Sequence, residues 1–409
     1  MRRFVSQRAS GAKRSAIREL LKLTERPEII SFAGGLPAPE TFPHDELAEI
    51  AADELRNHYE NVLQYGLTEG SLTLRRAVID WLRPHGLDLT LDQLLVTTAS
   101  QQGLDLVSKA FLDPGDVIFC EAPTYLAALQ AFTLFQAEKV GIPLDEDGMN
   151  LDRLEEAVER TKRAGKTMKA IYVIPDFQNP TGITMSLEKR RRLVEIARRE
   201  DLLIIEDDPY GQLRFAGESL PSIRSFDTDG RVILLMTFSK VLSAGMRLAV
   251  LIANKEHMEV LVRMKQASDL CTSKLTQHMA ARYIKEYGIE QHLEEVREVY
   301  RVKRDAMIAA LERYMPADEG ITWTHPEGGL FLWVRLPEVI DTEAMFPRAI
   351  EHRVAYVVGS AFYPDGNGHN EMRLSFSLGS VEQIEEGIKR LAGVVQAELA
   401  ARRVGGAVQ

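Results

Sequence analysis

The run VILLMTFSKVLSAGMR, residues 232–247, sets a lysine, Lys240, just past an apolar segment that reads as a strand covered on both faces. A dry, unpaired ammonium is costly, so this side chain must reach water, find a partner or give up its proton. As a neutral amine it would be a nucleophile towards a carbonyl. The plainer alternative is a lysine that points to solvent. Its neighbours weigh against that alternative. Ser239 offers a hydroxyl, and Arg247 offers a planar fork suited to phosphate.

An imine-forming amine beside phosphate-binding groups suggests pyridoxal 5′-phosphate. That cofactor asks for a helix N-terminus at its phosphate, a carboxylate on its ring nitrogen, a donor to its ring oxygen and an aromatic face over the ring. Each has a candidate after an apolar run, where an open α/β sheet presents its ligands. Ser100 and Gln101 open a helix after LLVTT, with free N–H groups and a dipole for phosphate; an ordinary serine cap is the alternative. Asp207 in DDPY could hold the pyridine nitrogen protonated, and Tyr210 could donate to the ring oxygen; an acidic turn would read the same way. Asn179 in NPTG is turn chemistry that also presents an amide rigidly. Tyr125 in EAPTY is either core or a ring that stacks on the cofactor.

The elements that would position these groups alternate in type. LLVTT (94–98), VIFC (117–120), AIYVIP (170–175), LLIIED (202–207), VILLMT (232–237) and LAVLIA (248–253) read as buried strands. Helical patterns at 101–112, 124–136, 151–163 and 186–200 lie between most of them. This is an α/β pattern with a largely parallel sheet. After about residue 255 come long helical runs at 255–285 and 290–314, then strands at 329–336, 354–358 and 372–377, and a helix near 380–402. That part reads as a smaller α+β unit. In EKRRRLVEIARRED (188–201) the apolar residues leave the arginines for an outer, solvated face.

Composition bounds the function. With 60 acidic against 50 basic residues the net charge is −10, against a general nucleic-acid binder. Two cysteines, Cys120 and Cys271, exclude a disulfide scaffold and fit a reducing, cytoplasmic setting. The histidines form no metal-ligand spacing, so no metal is expected. No apolar stretch is long enough to cross a bilayer, so no membrane partner is expected. The N-terminus is rich in Arg and Ser, as a transit peptide is. It reads better as a basic mature end, since Ser15–Thr24 already reads as an ordered amphipathic helix with Ile17, Leu20 and Leu21 on one side.

NPTG, DDPY, SK with its arginine seven residues on, and ASQQGLDL together resemble the fold-type-I, class I/II aminotransferases. SAIRELLKLTERPEIISFAGGLPAPETFP is similar to one branch, which holds the 2-aminoadipate, kynurenine/aminoadipate and archaeal aromatic enzymes. The likeness runs from about residue 15 to near the C-terminus. It implies a large domain at 46–285 with a mostly parallel seven-stranded sheet. It also implies a small α+β domain at 286–409 and an N-terminal arm with a mobile helix, 1–45, that joins the small domain as a lid.

The resemblance assigns roles. Lys240 resembles the lysine that forms a Schiff base with the cofactor and moves the substrate proton. Asp207 matches the pyridinium partner, and Asn179 and Tyr210 the ring-oxygen donors. Tyr125 resembles the stacking ring, and Ser100, Gln101, Ser239 and Arg247 the phosphate cup. Tyr65 resembles a tyrosine that reaches the neighbouring subunit's phosphate, implying a homodimer with shared sites. Arg373 resembles the arginine that grips the substrate α-carboxylate, Arg18 one that reads a distal carboxylate, and Gly34 and Gly35 the turn lining the substrate. Ala244 and Met246 depart from the usual proline-glycine-leucine, Cys271 stands where relatives often carry histidine, and Val358-Gly359 where Pro-Gly is frequent. The implied activity is ping-pong amino transfer between an L-amino acid (2-aminoadipate, glutamate, leucine-like or aromatic) and a 2-oxo acid such as 2-oxoglutarate. Two other readings remain: β-elimination or decarboxylation on the same apparatus, and a regulator's cofactor-binding effector domain. The second would place a winged helix ahead of the first matching helix, and only about fourteen residues stand there.

Overall fold

The computed structural model describes residues 4–11 and 28–406, with side chains of the last helix to residue 401. The expected helix over Ser15–Thr24, and Arg18 within it, lie outside the described residues. After a short strand, β1 (Ile30–Ser31), the main sheet uses β2 (Leu94–Thr97), β3 (Val117–Ala122), β4 (Glu138–Asp145), β5 (Gly148–Met149), β6 (Met168–Val173), β7 (Leu203–Asp208), β8 (Val232–Thr237) and β9 (Ala249–Ile252). Their spatial order is β2-β9-β8-β7-β6-β3-β4-β5. From β8 through β7, β6 and β3 to β4 all pairs are parallel, while β9 runs antiparallel to both neighbours and β5 folds back on β4. The sheet therefore has eight strands where seven were expected, the extra one being this two-residue return. No apolar run announces β4, because near the sheet edge only Ile142 of its residues is fully buried.

Every residue of β8 is buried, as its unbroken apolar run requires. One face of the sheet carries Cys120, Tyr172, Ile205, Leu235 and Leu251 under the helices Ala99–Phe111, Leu126–Leu134 and Lys255–Ser268. The other carries Phe119, Ile171, Val173 and Ile204 under Leu151–Arg163 and Leu187–Arg199. A Cβ on Gly103 would lie 2.9 Å from Leu235 Cδ2, so glycine lets the helix Ala99–Phe111 approach β8 closely. Helices start where side chains cap them: Ser71, Asn150, Ser186 and Asn254 each accept from a backbone N–H of the first turn.

The C-terminal unit is a sheet of β10 (Thr322–Trp323), β11 (Phe331–Arg335), β13 (Val357–Val358) and β14 (Glu371–Ser375), in the order β10-β11-β14-β13. The helices Ile289–Tyr314 and Val381–Gly406 pack against each other beside it. Between them in sequence, β12 (Val354–Ala355) pairs in parallel with β1, so the segment around Ile30 is tied to this unit. The long helical run expected from 255 divides at Asp269–Ser273. Among the described residues no helix is long and apolar enough to cross a membrane.

The arginine-rich helix differs from expectation at one position. Arg190 is fully buried. Its guanidinium donates to Asp176 Oδ1 at 2.8 Å and to the carbonyls of Met185, Pro175 and Pro221. Periodicity put it outside, but the turn before the helix folds back and offers carbonyls that only a long cation can reach. Arg190→Ala should cost about 3–5 kcal/mol in urea denaturation, because Asp176 loses its principal partner. Arg191→Ala, which loses only a ring contact with Phe226 at 4.3 Å, should cost about 1 kcal/mol or less.

Candidate functional site

The polar groups gather at the carboxyl ends of β3, β6, β7 and β8. Strand alternation sorts the acidic run that ends β7. Glu206 turns to one face, where it accepts from Ser222 Oγ and the N–H groups of Ile223 and Arg224. Asp208 bonds the Gly211 N–H at 2.6 Å. Asp207 faces the side that carries Tyr172, whose hydroxyl donates to Asp207 Oδ2 at 2.7 Å. The other oxygen, Oδ1, is buried with no hydrogen-bond partner. Burial pushes this carboxyl up to about 6, with the Tyr172 hydrogen bond pulling against it.

Lys240 follows β8 in a turn. Its Nζ donates to the Gly35 carbonyl at 2.6 Å. Burial, with the positive charges of Arg373 and then Arg247, brings the amine down to about 8. The side chain turns to the Gly35 carbonyl and not out to solvent. Gly35 is constrained as well, since a Cβ there would lie 2.7 Å from the Phe331 ring.

Arg373 lies on β14 and is buried. It donates to Asn179 Oδ1 at 2.8 Å and to the Ala33 carbonyl at 2.7 Å, and its Nε is buried without a partner. The guanidinium sits 4.1 Å from the Phe331 ring centre and 5.0 Å from that of Phe362. Burial brings it down to about 10, with Tyr210 and Tyr125 opposing the shift. Tyr210 hydrogen-bonds Asn179 and meets Phe331 edge-on at 5.8 Å. Its phenol is raised, chiefly by burial. Tyr125 is half-buried, just before the helix Leu126–Leu134, and its electrostatic influence reaches Tyr210, Arg373 and Tyr172.

The helix Ala99–Phe111 begins without a side-chain cap. The Thr98 N–H donates to Gln102 Oε1 at 2.8 Å, and its hydroxyl to Asp269 Oδ2 at 3.2 Å. Buried Lys265 completes this support through Gln102 Oε1 and Asp269 Oδ1. Ala99 adopts φ 61°, and its N–H donates to the Arg247 carbonyl. First-turn N–H groups at Ser100 and Gln101 are thereby left for an anion. Ser239 Oγ accepts from Thr237 Oγ1 at 3.0 Å. The Ala244–Met246 stretch still forms a 3-10 turn without its expected proline, with Arg247 at φ 49° after it. Arg247 is exposed on the single chain, though its charge is felt at Lys240, and Tyr65 is exposed as well.

Several supporting residues gave no sequence signal. Gln178 donates to Glu121 Oε2 and to the Pro123 carbonyl, and accepts from Thr181, tying the loop of Tyr125 to that of Asn179. Burial pushes Glu121 up to about 8. Phe331, Phe362 and Tyr172 sit in runs legible as core, and only tertiary contacts turn them towards the site. A separate cleft of about 930 Å3, lined in part by His85, Asp208, Gln212, Arg214, Glu290 and Arg297, contains none of the groups gathered around Lys240.

Taken together, the residues present fit pyridoxal 5′-phosphate. Asp207 Oδ1 is an orphaned acceptor suited to a ring N–H, the Lys240 amine gives up its proton more readily than an ordinary lysine, at about 8, and the helix start suits a phosphate. Residues 34–391 match the family described as aminotransferase class I and II. The chain is 46% identical to the aromatic-amino-acid aminotransferase 1 of Thermococcus litoralis over 97% of its own length and 95% of that protein. Its fold superposes on a multiple-substrate aminotransferase of Thermococcus profundus with TM-score 0.93 at 45% identity, covering 98% of this chain and 99% of that one. An α-aminoadipate aminotransferase of Thermus thermophilus, solved with N-(5′-phosphopyridoxyl)-L-leucine, gives TM-score 0.90 at 41% identity, covering 98% and 99%.

The Asp207 carboxyl has a folded pKa above its unfolded value, so it favours the folded apoenzyme at low pH and loses that contribution as pH rises through about 6. Asp207→Asn should therefore stabilise the apoenzyme at pH 8, by on the order of 2–3 kcal/mol, while impairing cofactor binding. The gain should vanish below about pH 4, as measured by thermal melts across pH.

Proposed function

This chain belongs to the class I and II aminotransferases and is a pyridoxal 5′-phosphate-dependent transaminase, and we propose that Lys240, Asp207 and Arg373 are the centre of its site. The carrying observation is the Lys240 amine, held on the Gly35 carbonyl within the electrostatic reach of Arg373. When bound, the cofactor carries the amino group and takes up the electron pair released as the substrate Cα–H bond breaks. Asp207 Oδ1 holds a proton on the ring nitrogen. Asn179 and Tyr210 donate to the ring oxygen, and Tyr125 covers the ring face. Ser100, Gln101, Ser239 and Arg247 hold the phosphate. Lys240 Nζ takes the substrate α-proton and returns it two bonds along, on the far side of the amino nitrogen, a transfer suited to an amine with a pKa of about 8. Arg373 grips the α-carboxylate with its planar fork, and the Phe331 and Phe362 rings keep that fork in place and dry. Gly35 lines the substrate side, where the lack of a Cβ lets the Phe331 ring pack against it.

Broad specificity for aromatic, leucine-like and 2-aminoadipate or glutamate side chains, with 2-oxoglutarate as an acceptor, is the reading we favour. It is supported by relatives whose names span aromatic, multiple-substrate and α-aminoadipate enzymes. Arg18 would read a distal carboxylate. The organisation is a large domain at 46–285, a small domain at 286–409 and an arm at 1–45. Two copies share sites in a homodimer, with Tyr65 and Arg247 meeting across the interface. Exposed Tyr59, Leu63, Tyr65 and Leu67 along one short segment support that pairing. The unpaired Cys120 and Cys271 support a cytoplasmic setting.

Borohydride reduction of the yellow holoenzyme should fix the cofactor to the Lys240 peptide, read by mass. A label elsewhere overturns the assignment. With an amino acid alone, product should stop at one equivalent per site and resume when a 2-oxo acid is added. Continued release of ammonia or carbon dioxide without acceptor would favour elimination or decarboxylation. Arg373→Gln should lower kcat/KM roughly 10²–10³-fold for all substrates. Arg18→Ala should weaken glutamate and 2-aminoadipate selectively, and equal losses for leucine would remove that role.

A further inference from the structure

We propose that Tyr172 is a positioning residue for the cofactor: its hydroxyl holds Asp207 so that one carboxylate oxygen is bonded and the other is presented to the ring nitrogen. This rests on the reading of Asp207 given above.

The geometry is specific. Tyr172 lies on β6, paired in register with Ile205 of β7, and both it and Asp207 project from the same face of the sheet. The tyrosine is fully buried and meets Phe132 edge-on, with ring centres 5.4 Å apart. That contact fixes the ring, and the ring fixes the hydroxyl at 2.7 Å from Oδ2. The phenol keeps its proton, because burial and then the Asp207 charge raise its pKa well above the ordinary value. It is therefore a permanent donor. A second donor on Oδ1 would compete with a ring N–H, and Oδ1 has none. One hydrogen bond thus keeps the carboxyl ionised and oriented without occupying the oxygen the cofactor needs.

Other titratable groups face Asp207. Glu121, from β3, feels its charge, and so do Tyr210 and Tyr172. Burial leaves Glu121 protonated up to about pH 8, and Tyr210 is raised still further. Neither changes charge near pH 6. Tyr172 is the one group among the described residues whose hydrogen bond holds the Asp207 carboxyl down. Removing the hydroxyl should move the ionisation of Asp207 to higher pH and let its side chain turn.

The test is pyridoxal 5′-phosphate binding to apoenzyme, followed by cofactor absorbance from pH 5 to 9 (about the range in which such a carboxyl titrates), with Tyr172→Phe, Asp207→Asn and the double variant. Tyr172→Phe should weaken binding at pH 7 roughly ten- to a hundredfold, the size of one hydrogen bond to a charged group. It should also move the acid limb of binding to higher pH. Asp207→Asn should weaken binding and abolish that part of the limb, and adding Tyr172→Phe should then change little. An unchanged limb in Tyr172→Phe, or an equal loss when Tyr172→Phe is added to Asp207→Asn, overturns the proposal. Full-strength binding by Asp207→Asn overturns instead the underlying assignment of Asp207. Should Tyr172→Phe fail to fold, 3-fluorotyrosine at this position, a stronger donor, must move the limb to lower pH; no movement overturns the proposal equally.

Discussion

A carboxylate is held dry at the end of β7 with only one oxygen bonded. An isolated domain gains nothing from this, since burial drives the carboxyl towards its neutral form. The arrangement is useful only when a cation completes it. Much of the architecture supports that unfinished pair. β6 supplies the donor, helices seal the face from water, and neighbouring strand ends bring the other polar groups alongside.

The same incompleteness recurs through the site. Lys240 donates to a backbone carbonyl, so its amine can leave without stranding a charge. Arg373 commits two nitrogens to Asn179 and Ala33 and keeps Nε unpaired between two aromatic rings. Thr98 bonds sideways to Gln102 and Asp269 instead of capping its own helix. In each case the surrounding structure holds the group in place and leaves part of its bonding capacity open. Preorganisation of this kind lowers the reorganisation needed when a charged ligand arrives.

Rigidity comes from a second tier of buried polar contacts. Gln178 links the Tyr125 and Asn179 loops through Glu121, Pro123 and Thr181, and Lys265 braces the start of the helix Ala99–Phe111. The Gln178 amide uses both its oxygen and its nitrogen in this way. The C-terminal unit adds Arg373 on β14, and the segment near Ile30 adds the Gly35 carbonyl that holds Lys240.

The sequence by itself determined the α/β pattern, the strand ends that carry Lys240, Asp207, Asn179 and Ser100, and the charge balance that opposes nucleic-acid binding. Continuous apolar runs and turn residues are local signals, so they survive without coordinates. Only the tertiary structure decided which way side chains face. Arg190 turned inward because carbonyls outside its own helix were waiting for it. β4 was silent because a strand near the sheet edge need not be apolar on both faces. Tyr172 looked like core until strand pairing set it against Asp207, and Phe331 until β14 brought Arg373 over its ring. These depend on contacts between segments far apart in the chain, and local pattern carries no record of them.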